Sequence, residues 1–94
     1  MRIIFKHSST CPVSARAYRE FQKFDTQLPV ELVIVQNDRQ RSNEIATQYG
    51  IKHESPQVLF VAGDKVLAHA SHGSITFDWL QKQEKELGNK YDND

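Results

Sequence analysis

The chain carries a single cysteine, Cys11, and the residues around it are the ones best suited to chemistry. It lies in Thr10-Cys11-Pro12-Val13-Ser14, after the polar run His7-Ser8-Ser9-Thr10 and ahead of a helical pattern. Pro12 suits the first turn of a helix, where its missing N–H costs nothing, and Ser9 or Thr10 can act as N-cap. The first N–H groups of a helix are unpaired and carry partial positive charge, so a thiolate beside them is stabilised. A free cysteine can instead be an inert buried residue. The polar junction between loop and helix favours the reactive reading over the buried one. Ser14 stands one helical turn on, where a Cys-x-x-Cys pair would hold its second thiol. A hydroxyl can hydrogen-bond a thiolate but cannot close a disulfide. A reactive Cys11 therefore works as a monothiol and needs an external thiol for release. Taken alone, Ser14 is equally an ordinary polar residue of a first turn.

A second feature is Glu54-Ser55-Pro56-Gln57, directly before an apolar run. Proline is acceptable as the first residue of a strand, and a plain trans turn would account for it. In the fold argued below, Pro56 is expected in cis with its loop facing Cys11. The Ser55 backbone would then be free to pair with an extended thiol-bearing ligand, like an added strand. The four histidines, His7, His53, His69 and His72, do not form a recognised ligand pattern, and no metal is expected. His53 and His69 read as loop and edge-strand residues. His7 and His72 lie on loops that should converge near Cys11, where either could favour the thiolate or touch an anionic ligand.

These residues need a scaffold, and the chain spells one out. Arg2 to Lys6 is a short strand rich in β-branched and aromatic residues. Ala15, Tyr18, Phe21 and Phe24 recur at helical spacing and predict a helix from Pro12 to about Asp25. The near-continuous apolar run Glu31–Gln36 reads as a strand covered on both faces. Asn37-Asp38 offers a cap for a second helix that presents Ile45, Ala46 and Tyr49 and stops at Gly50. Gln57–Val61 and Lys65–Ala70 flank the turn Ala62-Gly63-Asp64 and form a hairpin. A last helix is expected from Ser74 to Leu87, with Thr76 a possible cap and Trp79 a packing residue. The order β-α-β-α-β-β-α implies an α/β fold with a four-stranded mixed sheet, the minimal thioredoxin arrangement. The first three strands are expected parallel, with the hairpin adding an antiparallel edge. Residues 1–88 make the domain, and 89–94 read as a flexible tail.

Bulk properties narrow the function. Ninety-four residues allow one core. Lys+Arg and Asp+Glu number 12 each, so the concentrated positive field that nucleic acid or anionic membrane requires is missing. Arg39-Gln40-Arg41 reads as a solvated helix start rather than a binding patch. The run Ile3-Ile4-Phe5 is too short for a secretory leader or a membrane span. A lone cysteine fits a reducing compartment, and a cytoplasmic monomer is expected.

Four segments carry a resemblance to a known family: Phe5-Lys6-His7-Ser8, Thr10-Cys11-Pro12-Val13-Ser14, His53-Glu54-Ser55-Pro56-Gln57-Val58 and His69-Ala70-Ser71-His72. With these the chain resembles the monothiol bacilliredoxins (the YtxJ-like group) over nearly its whole length. The family usually has Ile where this chain has Val13, a conservative change. The resemblance implies a glutaredoxin-like role for cells that use bacillithiol. Cys11 would take bacillithiol from bacillithiolated client proteins, and a low-molecular-weight thiol would then free it. Bacillithiol is thus a co-substrate, and no tightly bound cofactor is expected. Thr10, Pro12 and Ser14 would support the thiolate, and Lys6, His7, Ser55, Pro56, His72, Gly73 and Ser74 would meet the ligand. Gly73-Ser74 is placed to open the last helix, whose free N–H groups could hold a carboxylate. Bacillithiol bears a malate with two carboxylates, which Ser74 and Lys6 could contact; a plain turn and cap would explain Gly73-Ser74 as well. The alternative to an oxidoreductase is a thioredoxin-fold binding module with an idle Cys11 and a peptide in the groove beside Pro56.

Overall fold

A computed structural model describes the backbone of residues 1–91 and the side chains of residues 1–88. Strand β1 (Arg2–His7) leads through the cysteine loop to helix α1 (Pro12–Lys23). Strand β2 (Val30–Ile34), helix α2 (Arg39–Tyr49) and the hairpin β3 (Gln57–Ala62) and β4 (Lys65–Ser71) follow. A 3₁₀ turn (His72–Ser74) then precedes helix α3 (Phe77–Tyr91). The sheet runs β2-β1-β3-β4, with β1 and β2 parallel. This is the thioredoxin arrangement expected from the order of the elements.

The direction of β3 differs from the expectation. It pairs antiparallel with β1, Lys6 facing Gln57, so only β1 and β2 are parallel. The reason is the segment after α2. Tyr49, at the end of that helix, lies by Arg2 and Gly63, whereas His53 lies by Lys6 at the other end of β1. The chain has climbed back before β3 begins, and β3 must descend. Gly50 makes this reversal possible: it closes α2 at φ 62°, a left-handed conformation that favours glycine. Gly63 does the same for the hairpin turn at φ 59°.

Strand β2 is also less covered than its apolar run implied. It lies at the sheet edge with Val33 alone buried, and Val30 and Leu32 are exposed. The helices pack over the central strands, so the outer face of an edge strand remains open. Its carboxylate Glu31 ties it inward, receiving Arg41 through both Nε (2.7 Å) and Nη2 (2.8 Å) and Arg2 at 3.1 Å. These guanidinium bonds hold Glu31 down at a pKa of about 2. Arg41 is therefore part of an ion-pair network rather than merely a solvated helix start.

Strand alternation builds two cores. On one face Ile3, Phe5, Val58 and Phe60 meet Ala17 and Phe24 of the α1 region and Leu80 of α3. Trp79 packs there too, edge-on to Phe60 at 6.0 Å between centroids. On the other face Ile4, Leu59 and Val61 meet Ile45 and Tyr49 of α2. Asp38 caps α2 by accepting from Arg41 N at 3.1 Å, and Thr76 caps α3 by accepting from Trp79 N at 3.1 Å. Helix α3 begins at Phe77, not Ser74, and runs to Tyr91, past the expected end at Leu87. Residues 92–94 of the expected tail lie outside the described residues. No helix among the described residues is long and apolar enough to cross a membrane.

Candidate active site

Cys11 is itself the N-cap residue of α1, in extended conformation (φ −101°, ψ 123°), with Pro12 opening the helix. The cap was expected at Ser9 or Thr10. Pro12 decides the matter, because it fixes the first helical residue and restricts the residue before it to extended backbone. The thiol is free and partly exposed. The Cys11 carbonyl accepts from Ala15 N at 3.0 Å, and its own N–H donates weakly to Ser8 O at 3.4 Å.

The loop before Cys11 is held from two sides. Gln36, just past β2, donates Nε2 to Ser8 Oγ (2.7 Å) and Thr10 Oγ1 (3.0 Å), and its Oε1 accepts from Ser9 N (3.2 Å). Nothing in the sequence marked Gln36 for this role, since it read as the end of a strand. Ser14 acts from the other side. Its hydroxyl is fully buried, accepts from Ser8 N at 2.8 Å and shares a hydrogen bond with His7 Nδ1 at 2.9 Å. Those two bonds tie Ser14 to the loop before Cys11. Thr10 Oγ1 is held in the same loop as an acceptor of Gln36.

His7 packs its ring against Tyr18 at 4.8 Å and Phe5 at 6.2 Å. Burial pushes its pKa below the ordinary 6.5, so the ring is neutral at pH 7. A neutral His7 hydrogen-bonded to Ser14 braces the loop and brings no positive charge to the thiolate.

A groove of about 470 Å³ starts at Pro12 and Val13 and is bounded by Arg16, Ala17, His72, Gly73 and Ile75. Val13 is 45% exposed there, an apolar floor open to solvent. His72 joins this groove to the proline loop: its N–H donates to Pro56 O at 3.1 Å and its Nε2 meets Glu54 Oε2 at 2.8 Å. His72 adopts φ 52°, which is uncommon for a residue with a Cβ. The bond from His72 holds the Glu54 carboxyl below its usual range. The Ser55–Pro56 bond is cis, as the fold led one to expect. Among the described residues no three His, Cys, Asp or Glu side chains cluster as metal ligands would.

A family model described as monothiol bacilliredoxin BrxC matches residues 1–80. The chain belongs to the monothiol bacilliredoxin family. A solved structure described as having a thioredoxin fold and proposed to be an oxidoreductase is similar to it, at 37% identity and a TM-score of 0.80. That match covers 87% of this chain and 75% of the other. The thioredoxin of Aeropyrum pernix shares the fold at 15% identity and TM-score 0.63, over 92% of this chain and 73% of its own. Family and fold together support a thiol redox role.

Two anion contacts expected for this bacilliredoxin are placed elsewhere by the structure. Lys6 points to the face opposite His7 and Phe5, is 0% exposed, and donates to Ser42 O and His53 Nδ1 beneath α2. It cannot reach a ligand in the groove without leaving the core. Ser74 sits in the 3₁₀ turn, exposed, and does not open α3. At the true start of α3 the Phe77 N–H donates to Glu20 Oε1 of α1 at 3.0 Å. The bonds from Lys23 and from Phe77 N–H hold the Glu20 carboxyl below its usual range. The protein's own carboxylate therefore occupies the position where a ligand carboxylate was expected. Arg16, which the sequence reading passed over, is the cation that does line the groove.

Proposed function

We propose that this protein is a monothiol thiol–disulfide oxidoreductase that removes bacillithiol from mixed disulfides on client proteins. The observation that carries the reading is the only cysteine, partly exposed at the head of α1 beside an open groove. The Cys11 thiolate attacks the bacillithiol sulfur of the mixed disulfide, and the client leaves as its thiolate and takes a proton. Cys11 is then linked to one bacillithiol. A second bacillithiol thiolate attacks that bacillithiol sulfur, regenerating the Cys11 thiolate and forming bacillithiol disulfide. The client sulfur has been reduced and the second bacillithiol oxidised, while the first passes from one disulfide to another without change of oxidation state. Ser14 in place of a second cysteine makes the external thiol necessary.

In this reading the groove receives the bacillithiol moiety. Val13 supports its apolar surface, Arg16 offsets malate charge, and Gly73 and His72 form the far wall. The Ser55 backbone beside Pro56 pairs with the ligand chain. The test is incubation of the reduced protein with a bacillithiolated test protein, read by intact mass. One bacillithiol should appear on Cys11 while the test protein regains a free thiol, and Cys11→Ser should abolish both changes. No transfer by the wild type, or equal transfer by Cys11→Ser, would sink the proposal.

A further inference from the structure

The least expected feature of the interior is a lysine. Lys6 is fully buried, yet none of the ion pairs among the described residues includes it. Its ammonium donates instead to two neutral acceptors, Ser42 O at 3.0 Å and His53 Nδ1 at 3.2 Å. Burial pushes the Lys6 pKa down, as it must for an amine removed from water without a counter-ion. Such a group is a poor source of stability, and a methionine would fill the same space at less desolvation cost. What the amine adds is direction.

The two bonds join three parts of the site. Lys6 lies on β1, just ahead of the loop that carries Cys11. Ser42 lies on α2, and His53 lies on the segment that enters Pro56. The same segment is held again by Gln57, the cross-strand partner of Lys6, whose Nε2 donates to Lys52 O at 3.1 Å. We infer that Lys6 is a positioning residue for the loop Lys52–Pro56, holding the ligand-binding backbone of Ser55 in register with the strand that leads to Cys11. This rests on the function proposed above.

The tie depends on one protonation state. Lys6 can only donate when charged, so His53 Nδ1 must be the acceptor and the imidazole must be neutral. Lys6 faces the ring from β1, Ser42 and Arg39 face it from α2, and Glu54 adjoins it in its own segment. The Lys6 charge opposes protonation of the ring, and the Glu54 carboxylate, itself bonded to His72, favours it. Protonating His53 would set a cation against the Lys6 ammonium and open the tie.

The experiment compares wild type, Lys6→Met, His53→Leu and the double variant in steady-state removal of bacillithiol from a test protein. Each single variant should raise KM about tenfold and leave kcat within about twofold, because the chemistry at Cys11 is intact while ligand docking is not. The double variant should be no worse than either single one, as one shared contact is lost only once. Once the pH is lowered far enough below the ordinary 6.5 to protonate the buried His53, the KM of the wild type should rise, while that of Lys6→Met should stay flat. Amide exchange should quicken at Glu54 and Ser55 in Lys6→Met and leave β1 and β3 unchanged. An unaltered KM in folded Lys6→Met, or additive losses in the double variant, would overturn the inference. Should the wild type prove inactive on the mixed disulfide, the functional proposal fails, and amide exchange alone decides whether Lys6 holds the loop.

Discussion

Lys6 and His7 are neighbours in sequence, yet they serve opposite faces of the sheet. His7 turns toward α1, lies against Tyr18 and Phe5, and hydrogen-bonds Ser14. Lys6 turns toward α2 and meets Ser42 and His53. One strand end therefore fixes both halves of the site: through His7 the helix that presents Cys11, through Lys6 the loop that presents Pro56. The two faces do so by different means. The α1 face surrounds its polar contact with aromatic packing, whereas the α2 face relies on an ammonium surrounded by neutral acceptors. Adjacent residues on a strand cannot act on one ligand from the same side. A Lys-His pair before a reactive cysteine thus says less about ligand charge than about what holds the two walls together.

The α1 face offers the largest effect. Ser14→Ala removes a fully buried hydroxyl and leaves Ser8 N–H and His7 Nδ1 without their partner. Both groups are only partly buried, so each loss sits near the lower end of about 1–3 kcal/mol, and the two together should lower Tm by roughly 10 °C in a domain of this size. Transfer to Cys11 should slow in the same variant, because Ser14 holds the loop before Cys11. A variant with unchanged Tm but abolished transfer would instead show that the hydroxyl acts on the thiolate.

Much of this arrangement could be read before the fold was seen. The caps Asp38 and Thr76, the terminating Gly50 and the hairpin at Gly63 are local chemistry, and each stands where the residues place it. The alternation of Phe5, Lys6 and His7 is equally local. Which helix each face would meet is not local, and that is why Lys6 was expected beside the ligand. The direction of β3 depends on how far the chain after Gly50 climbs, a matter of three-dimensional closure rather than pattern. Glu20 on the α3 N-terminus and Gln36 on the cysteine loop are contacts between distant segments made by ordinary surface residues. A single sequence carries no mark for either.

Acid should distinguish the faces next. Burial lowers the pKa of both His7 and His53 below the ordinary 6.5, with the Lys6 charge adding to the effect at His53. The unfolded chain therefore binds protons first as pH falls below about 6.5, and stability declines from there until the folded histidines titrate. At pH 7.5 both rings are neutral in either state, and the full stability is present. Glu31 acts in a lower window: its contribution persists above the ordinary 4.5 and is lost only as pH falls toward about 2. Denaturant midpoints should thus begin to fall as pH drops below about 6.5, and a further loss should set in as it drops below 4.5 toward about 2. His7→Phe and His53→Leu should each remove part of the first decline, the share owed to its own ring. A first decline unchanged in both variants would mean that neither ring is the group responsible.

The smallest effect is expected at Gln36, and it tests whether the cysteine loop is held by the α1 face alone. Gln36 is exposed, and its three bonds to Ser8, Ser9 and Thr10 compete with water, so Gln36→Ala should cost about 0.5 kcal/mol or less. Its influence on order should exceed its influence on stability. Amide exchange at Ser9 and Thr10 should quicken, while Ser8, whose N–H is bonded to buried Ser14, should remain protected. That split would show the loop held at its root by the core and at its tip by one solvent-facing amide. Transfer to Cys11 should then slow by only about twofold, because the cap geometry of Cys11 is set by Pro12 and by the Ala15 bond rather than by Gln36. Loss of protection at Ser8 as well would mean that the tip controls the root, and that the cysteine loop depends on β2 as much as on the helix it precedes.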